Sequence, residues 1–278
     1  MEFLNSVINL TQLAKDRRNE YINASPFPNI VLTDFFDTAF LTSVLNEFPD
    51  LSKPAYAESK AVQRYDNHNE KKFGARGEAV FGDATKQLMH YLNSQPILEF
   101  LQVLAGITET LIPDPYFIGG GCHEIKPGGL LKVHADFNKH EKTGLDRRIN
   151  LLVYLNKDWE ESYGGHFELW NKDMSRSEKK VLPLFNTVAI FSTTDFAYHG
   201  HPDPLSCPPD RSRKSLALYY YSNGRPAAEV NQKMEEHSTI FVARKNVDQD
   251  VKKIPRPFKA KLLDFIPPVI IKLIKNKY

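Results

Sequence analysis

Residues 130–137 read LLKVHADF, and this short stretch decides how the rest of the chain is interpreted. Its apolar residues, which follow a PGG turn, predict a β-strand. In a strand, residues i and i+2 lie on the same face, so His134 and Asp136 point to the same side of the sheet. A second H-x-D occurs at His201 and Asp203. The motif therefore indicates a site only if other residues converge on it.

The composition predicts a globular protein that can bury a full core. The chain has 278 residues, of which 41% are hydrophobic and 12% aromatic, and this fits one large β-rich domain or two small ones. Cys122 and Cys207 lie far apart, which supports neither a disulfide framework nor a zinc finger. The N-terminus lacks the features of a signal peptide, and no apolar run is long enough to cross a bilayer. We therefore expect a cytoplasmic protein.

Both ends of the chain predict amphipathic helices outside a central domain. Residues 1–20 have apolar residues at helical spacing, and residues 226–278 form a basic tail. Residues 244–278 carry ten Lys or Arg and three Asp, and they end in FIPPVIIKLIKNKY. Such a helix either packs on its own domain or makes weak contact with a membrane surface or an acidic partner. Because the positive charge is confined to this tail, no nucleic-acid partner is expected.

Residues 21–225 form the predicted central domain. A strand at Asn29–Thr33 and a helix capped by Asp37 come early in it. Short strands without helices between them follow, and they indicate an antiparallel sandwich or barrel. These strands are predicted at residues 130–137, 148–156, 165–171, 186–192 and 213–222.

Residues 55–83 are polar, charged and glycine-containing, and they predict a long loop. Long loops in compact domains often cover a functional site. Lys71, Lys72 and Arg76 in this segment are either a solvated charge run or contacts for an acidic substrate.

Two more histidines follow the predicted strand at residues 186–192. His199 and His201 lie just before a proline and share one face. One of them, together with His134 and Asp136, forms a 2-His-1-carboxylate triad. Such a triad holds a metal on one face and leaves the opposite positions open for substrate and O2. The spacing alone leaves the two histidines as alternatives.

The last predicted strand, RKSLALYYYS, adds a positive end to the same site. Alternation places on one face Arg213, Ser215, Ala217 and Tyr219. An arginine followed on the same face by two small residues predicts a narrow pocket with a positive end. The planar guanidinium of this arginine suits a carboxylate. Tyr154, in the strand RINLLVYLN, offers a phenol as a second donor.

These residues, in this order, resemble the Fe(II)- and 2-oxoglutarate-dependent dioxygenases, specifically their prolyl 4-hydroxylase-like branch. The resemblance rests on H-A-D at 134–136, YLNKDW at 154–159, GGHFELW at 164–170, F-x7-H ending at His199, and R-x-S at 213–215. It implies a mainly β fold with flanking helices, namely the double-stranded β-helix or jelly roll.

The resemblance implies that His134, Asp136 and His199 are the catalytic residues that bind Fe(2+). His199 is favoured over His201 because it matches the position of the family's distal histidine. The implied cofactors are Fe(2+), 2-oxoglutarate and O2, with ascorbate as a reductant. The implied reaction is hydroxylation of a C–H bond. Its substrate is a prolyl or other residue of a peptide or, alternatively, a small metabolite or sugar-linked molecule.

The resemblance also implies that Arg213, with Tyr154 and Ser215, binds the distal carboxylate of 2-oxoglutarate. The chain departs from the family at Ile125, where members often have a tyrosine whose hydroxyl helps to orient the cosubstrate. His123 is a candidate substitute for that hydroxyl.

Two alternatives of another class remain. A zinc hydrolase would use the same two histidines and carboxylate with a bound water, but it gives no role to Arg213 or Tyr154. A non-catalytic jelly-roll metal-binding module would tolerate the loss of Arg213. Tightly held zinc would favour the hydrolase, and loosely bound iron the oxygenase.

Overall fold

The computed structural model describes residues 2–226 and 236–253, and within them four α-helices lie in the first half of the chain. The helices are α1 (Leu10–Ile22), α2 (Thr38–Asn46), α3 (Asp83–Leu92) and α4 (Gln95–Ala105). The strands are β1 (Asn29–Thr33), β2 (Val62–Asp66), β3 (Glu70–Ala75), β4 (Ile112–Pro113), β5 (Gly121–Ile125), β6 (Leu130–Ala135), β7 (Asp146–Tyr154), β8 (Phe167–Trp170), β9 (Ser177–Val181), β10 (Thr187–Ser192), β11 (His199–His201), β12 (Arg213–Ser222) and β13 (Ile240–Phe241). The predicted class, mainly β with flanking helices, is confirmed.

The strands pair into one antiparallel sheet that curls into a nearly closed barrel. Its order is β1-β10-β7-β12-β5-β3-β6-β11-β8-β9, with β2 on β3, β4 on β12 and β13 on β6. Neighbours in the sheet are often distant in sequence. The strand that carries the H-x-D motif therefore lies directly beside the short strand that carries the two later histidines.

The outer face of the sheet holds the main hydrophobic core. Along β7, Ile149, Leu151 and Val153 are buried in the same cluster as Phe100 and Leu101 of α4. Burying side chains of this size stabilises the fold by about 1.5–3 kcal/mol each. The alternating residues of β7 and its neighbours point into the barrel, because side chains in a strand leave on opposite faces.

The predicted N-terminal helix begins later than residues 1–20 suggested. The side chain of Asn9 accepts a hydrogen bond from the backbone N–H of Gln12 at 3.0 Å, and this cap starts α1. Ahead of the cap, Leu4 forms an isolated antiparallel bridge with Phe36. The first apolar residues therefore contact the domain as extended chain.

The long loop predicted at residues 55–83 is wrong, because β2 and β3 form a hairpin there. Charged side chains on both strands hide the alternation in the sequence. Lys72 lies 5.1 Å from the ring centre of Tyr65 with its side chain only 16% exposed, whereas Arg64, 5.7 Å from the ring centre of Phe73, stays largely exposed. Since β3 pairs with both β5 and β6, this hairpin forms a wall of the barrel.

The described part of the C-terminal tail folds back onto β6. Phe241 pairs with His134, and the buried carboxylate of Asp250 accepts a hydrogen bond from Lys132 at 3.1 Å. The amphipathic helix predicted near the C-terminus lies outside the described residues, and its membrane or acidic partner stays a prediction. None of the helices in the two described ranges has the length and hydropathy to span a bilayer.

Candidate metal centre

Two antiparallel strands bring the predicted metal ligands together. His199 of β11 is the register partner of His134 at the end of β6, and Asp136 follows β6 directly. The Nε2 atoms of His134 and His199 lie 3.5 and 3.4 Å from the carboxylate oxygens of Asp136. One ligand atom from each residue lies within 4.8 Å of the other two, which is the geometry of a three-point metal site.

Backbone carbonyls orient both imidazoles toward the centre. In each ring Nδ1 lies 2.8 Å from the carbonyl oxygen two residues earlier, that of Lys132 for His134 and that of Ala197 for His199. A carbonyl only accepts, so Nδ1 carries the proton and Nε2 keeps its lone pair for a metal. Burial, together with the adjacent His134, lowers the pKa of His199 to about 3. The His199 ring is therefore neutral at pH 7, as a ligand must be.

A buried cation holds the third ligand in place. Arg147 is fully buried and donates to Asp136 Oδ2 at 3.0 Å, while Asn150 donates to the same oxygen at 2.7 Å. Burial alone would raise the pKa of the Asp136 carboxyl, but Arg147 and the two histidines hold it well below its ordinary value. The carboxylate is thus ionised and oriented before any metal binds.

The predicted cosubstrate residues lie in the same cavity. Arg213 is buried, its Nε donates to the carbonyl of Gly165 at 2.8 Å, and its Nη2 lies 3.4 Å from the hydroxyl of Tyr154. The guanidinium carbon lies 5.0 Å from the centre of the Tyr154 ring. Ser215 is the register partner of Tyr154 and lines the cavity as well. Among the residues that the structure describes, no other group accepts from Arg213, which leaves its remaining N–H groups for a ligand.

The cavity has a volume of about 70 Å³ and joins both groups of residues. Ile125 contributes an apolar wall and His123 a polar one, with its Nε2 3.0 Å from the carbonyl of Gly119. Burial, together with Lys72, lowers the pKa of His123 to about 3. The other lining residues are Leu131, His134, Asp136, Asn150, Leu152, Phe167, Phe191, His199, Gly200, His201, Arg213, Ser215 and Tyr219. A wider cavity of about 560 Å³ is lined in part by Phe137, the residue after Asp136.

Two residues of this site, Lys72 and Arg147, were missed or misjudged from sequence. Lys72 lines the cavity because the hairpin forms a barrel wall, whereas the sequence favoured a solvated charge. Both histidines of β11 point inward, but only His199 reaches the metal ligands. Arg147 was missed because strict alternation from Tyr154 assigns the inner face to Arg148. A register shift between β7 and β12 reverses that assignment.

Comparisons with known proteins agree with this geometry. The family model described as the 2OG-Fe(II) oxygenase superfamily matches residues 120–221, a stretch that contains every predicted metal and cosubstrate residue. The predicted resemblance to this superfamily is confirmed over that stretch. No curated protein sequence matches the chain.

Solved structures of low sequence identity share the fold. A Pseudomonas putida prolyl-4-hydroxylase is 15% identical with a TM-score of 0.52, and the match covers 76% of this chain and 100% of that one. A Trichoplax adhaerens prolyl hydroxylase in complex with a hypoxia inducible factor peptide is 17% identical with a TM-score of 0.54, covering 80% and 94%. A prolyl 4-hydroxylase from Phytophthora capsici is 16% identical with a TM-score of 0.50, covering 79% and 68%. The predicted jelly roll is confirmed.

The residues present fit the cofactors that the superfamily implies, Fe(2+), 2-oxoglutarate and O2. Two imidazoles and one ionised carboxylate on one side of a cavity are the donor set of non-haem Fe(II) oxygenases. A buried arginine at the same cavity complements the carboxylate of a keto acid. Ascorbate stays a prediction.

Proposed function

We propose that this protein is an Fe(II)- and 2-oxoglutarate-dependent hydroxylase of C–H bonds. One observation carries the proposal: a single narrow cavity holds the His134–Asp136–His199 cluster and the Arg213–Tyr154 pair. A metal site alone would suit many functions. The buried guanidinium adds a place for an anionic ligand that also reaches the metal.

The residues of this chain would bind Fe(II) and 2-oxoglutarate, orient them and exclude water. His134, Asp136 and His199 would hold Fe(II) through one face, and Arg213 with Tyr154 would hold the distal carboxylate of 2-oxoglutarate. When bound, Fe(II) and 2-oxoglutarate supply the activation of O2, with one oxygen atom going to succinate alongside released CO2 and the other to the substrate as hydroxyl. Because Asp136 occupies the carboxylate position, the site favours hydroxylation over halogenation.

We further propose a prolyl or other amino-acid residue of a peptide as the substrate. The support is the resemblance to the prolyl 4-hydroxylase-like branch, in which the Trichoplax adhaerens protein carries a peptide. The cavity of about 560 Å³ beside Phe137 is where a substrate would approach the metal. Its polar lining, with Gln63, Tyr65, Ser238 and Thr239, suits a small metabolite or a sugar-linked molecule as well.

Anaerobic visible spectroscopy tests the proposal. Addition of Fe(II) and then 2-oxoglutarate to the apo-protein should produce the weak charge-transfer band of a chelated keto acid, and Asp136→Ala should abolish it. If iron binds to the wild-type protein and no band forms, the cosubstrate assignment is wrong. The zinc hydrolase or the non-catalytic metal-binding module would then be the better explanation, and tight retention of zinc would select the hydrolase.

A further inference from the structure

His201 is a buried histidine of the cavity that the metal centre does not use. It is only 4% exposed, lies two residues after His199 on the same face of β11, and lines the cavity together with Arg213. It does not belong to the cluster of metal-ligating atoms found in the described residues. Its side chain therefore needs an explanation of its own.

Neither ring nitrogen of His201 has a hydrogen-bond partner among the residues that the structure describes. The other two inward-facing histidines differ, because His134 and His199 are each anchored through Nδ1 to a backbone carbonyl. Buried polar groups in folded proteins are nearly always paired with protein, water or ligand. An unpaired imidazole that lines a cavity therefore indicates a ligand that occupies this cavity.

The strand pairing places His201 at the Arg213 end of the cavity. β8 runs antiparallel beside β11, with Gly200 opposite Glu168, so the chain just before β8 lies beside the residues after Gly200. Gly165 belongs to that chain, and its carbonyl accepts the Nε–H of Arg213. His199 reaches the metal, and His201 lies farther along the strand toward the guanidinium.

We propose that His201 donates a hydrogen bond to the distal carboxylate of 2-oxoglutarate and shares this anion with Arg213. This inference rests on the proposed function and deepens it by assigning a further residue that selects the cosubstrate. An imidazole carries at least one N–H in either protonation state, so the donor is present at any pH. A carboxylate has two oxygens with several acceptor positions, and it can accept from both side chains at once.

The test compares His201→Leu, which removes the donor, with His201→Gln, which keeps an N–H. Each Fe(II)-loaded variant is titrated anaerobically with 2-oxoglutarate and, separately, with 2-oxopentanoate, which has the same chain length and no distal carboxylate. His201→Leu should weaken 2-oxoglutarate binding about tenfold or more, as expected for a hydrogen bond to a charged group. The affinity for 2-oxopentanoate should stay unchanged, and His201→Gln should restore most of the loss.

Thermal unfolding of the apo-protein is the second readout. Because Leu removes an unpaired buried polar group, His201→Leu should unfold at the same temperature as the wild type or higher. 2-Oxoglutarate should raise the unfolding temperature of metal-loaded His201→Leu by less than it raises that of the metal-loaded wild type. His166→Leu is the matched control, since His166 pairs with Glu161 outside the cavity lining. In His166→Leu, the affinities for both keto acids and the shift caused by 2-oxoglutarate should equal those of the wild type. Only the unfolding temperature of the apo-protein should change slightly.

The outcomes separate this inference from the proposed function. If wild-type protein binds no 2-oxoglutarate, the proposed function fails and His201 has no cosubstrate to bind. If wild type binds it and His201→Leu binds it equally well, the function stands and the role of His201 is wrong. An equal loss of affinity for both keto acids would also overturn the role, because it would show an effect on the metal end of the cavity.

Discussion

The two faces of β7 show how one strand serves stability and chemistry at once. The outward residues Ile149, Leu151 and Val153 are buried in the core with the helices. The inward residues Asn150 and Tyr154 instead hydrogen-bond to Asp136 and Arg213. Adjacent residues of β7 therefore serve either core packing or the site, and substitutions on the two faces should have different consequences.

The largest effect on stability should come from the outer core. Phe100→Ala removes a buried ring of α4 and should lower the free energy of unfolding by about 3–5 kcal/mol, because a cavity remains. Urea unfolding measures this change. Leu152→Ala on the inner face borders existing space and should destabilise less. A larger loss from Leu152→Ala would contradict the division of the two faces.

The next effect concerns the inner face of β12. Arg213→Ala should weaken 2-oxoglutarate binding about a hundredfold, since a charge-assisted contact is lost, while Fe(II) affinity stays near the wild-type value. Arg213→Lys should recover only part, because an ammonium cannot form the planar fork. Lys214→Ala, the next residue along, is the control. Unchanged cosubstrate affinity in Arg213→Ala would show that the face assigned to this strand is wrong.

Arg147→Met tests whether the buried guanidinium positions the carboxylate ligand. We expect Fe(II) affinity to fall about 10- to 100-fold, as when other outer partners of metal ligands are removed. The pKa of Asp136 should rise without Arg147, so protons should begin to displace metal at a higher pH. Titration of metal affinity between pH 5 and 8 measures both effects.

The neighbouring residue gives a matched control for this comparison. Arg148 pairs with Glu109 and Ser222, away from the metal ligands. Arg148→Met should therefore change stability without moving the pH dependence of metal binding. Identical profiles for Arg147→Met and Arg148→Met would show that the register shift has no functional consequence.

The most gradual effect is on acid stability. His123 and His199 have pKa values lowered by burial to about 3, so the unfolded chain binds protons between about pH 6.5 and 3 that the folded apo-protein does not. Stability therefore falls as pH falls through this window. Urea midpoints measured from pH 7 to 4 check the sign. His123→Phe should flatten the dependence of the urea midpoint on pH. An unchanged slope in this variant would show that other groups cause the loss of stability in acid.

Sequence reasoning located most of the site because its signals were local. Alternation places His134 and Asp136 on one face, and the resemblance to the dioxygenase family selected His199 over His201. The same reasoning failed where partners come from elsewhere. The β2–β3 hairpin was hidden because charges on both of its faces erase the period of two, and Lys72 was consequently misjudged.

The sequence alone determined the mainly β fold class, the positions of the strands β1, β6, β7, β8, β10 and β12, and the residue types of the metal site. These follow from periodicity and from the chemistry of side chains close in sequence. Only the tertiary structure decided that Arg147 and not Arg148 holds Asp136, and that His201 lies unpaired at the Arg213 end of the cavity. Strand register and bulges determine such contacts, and they are set by packing across the whole sheet.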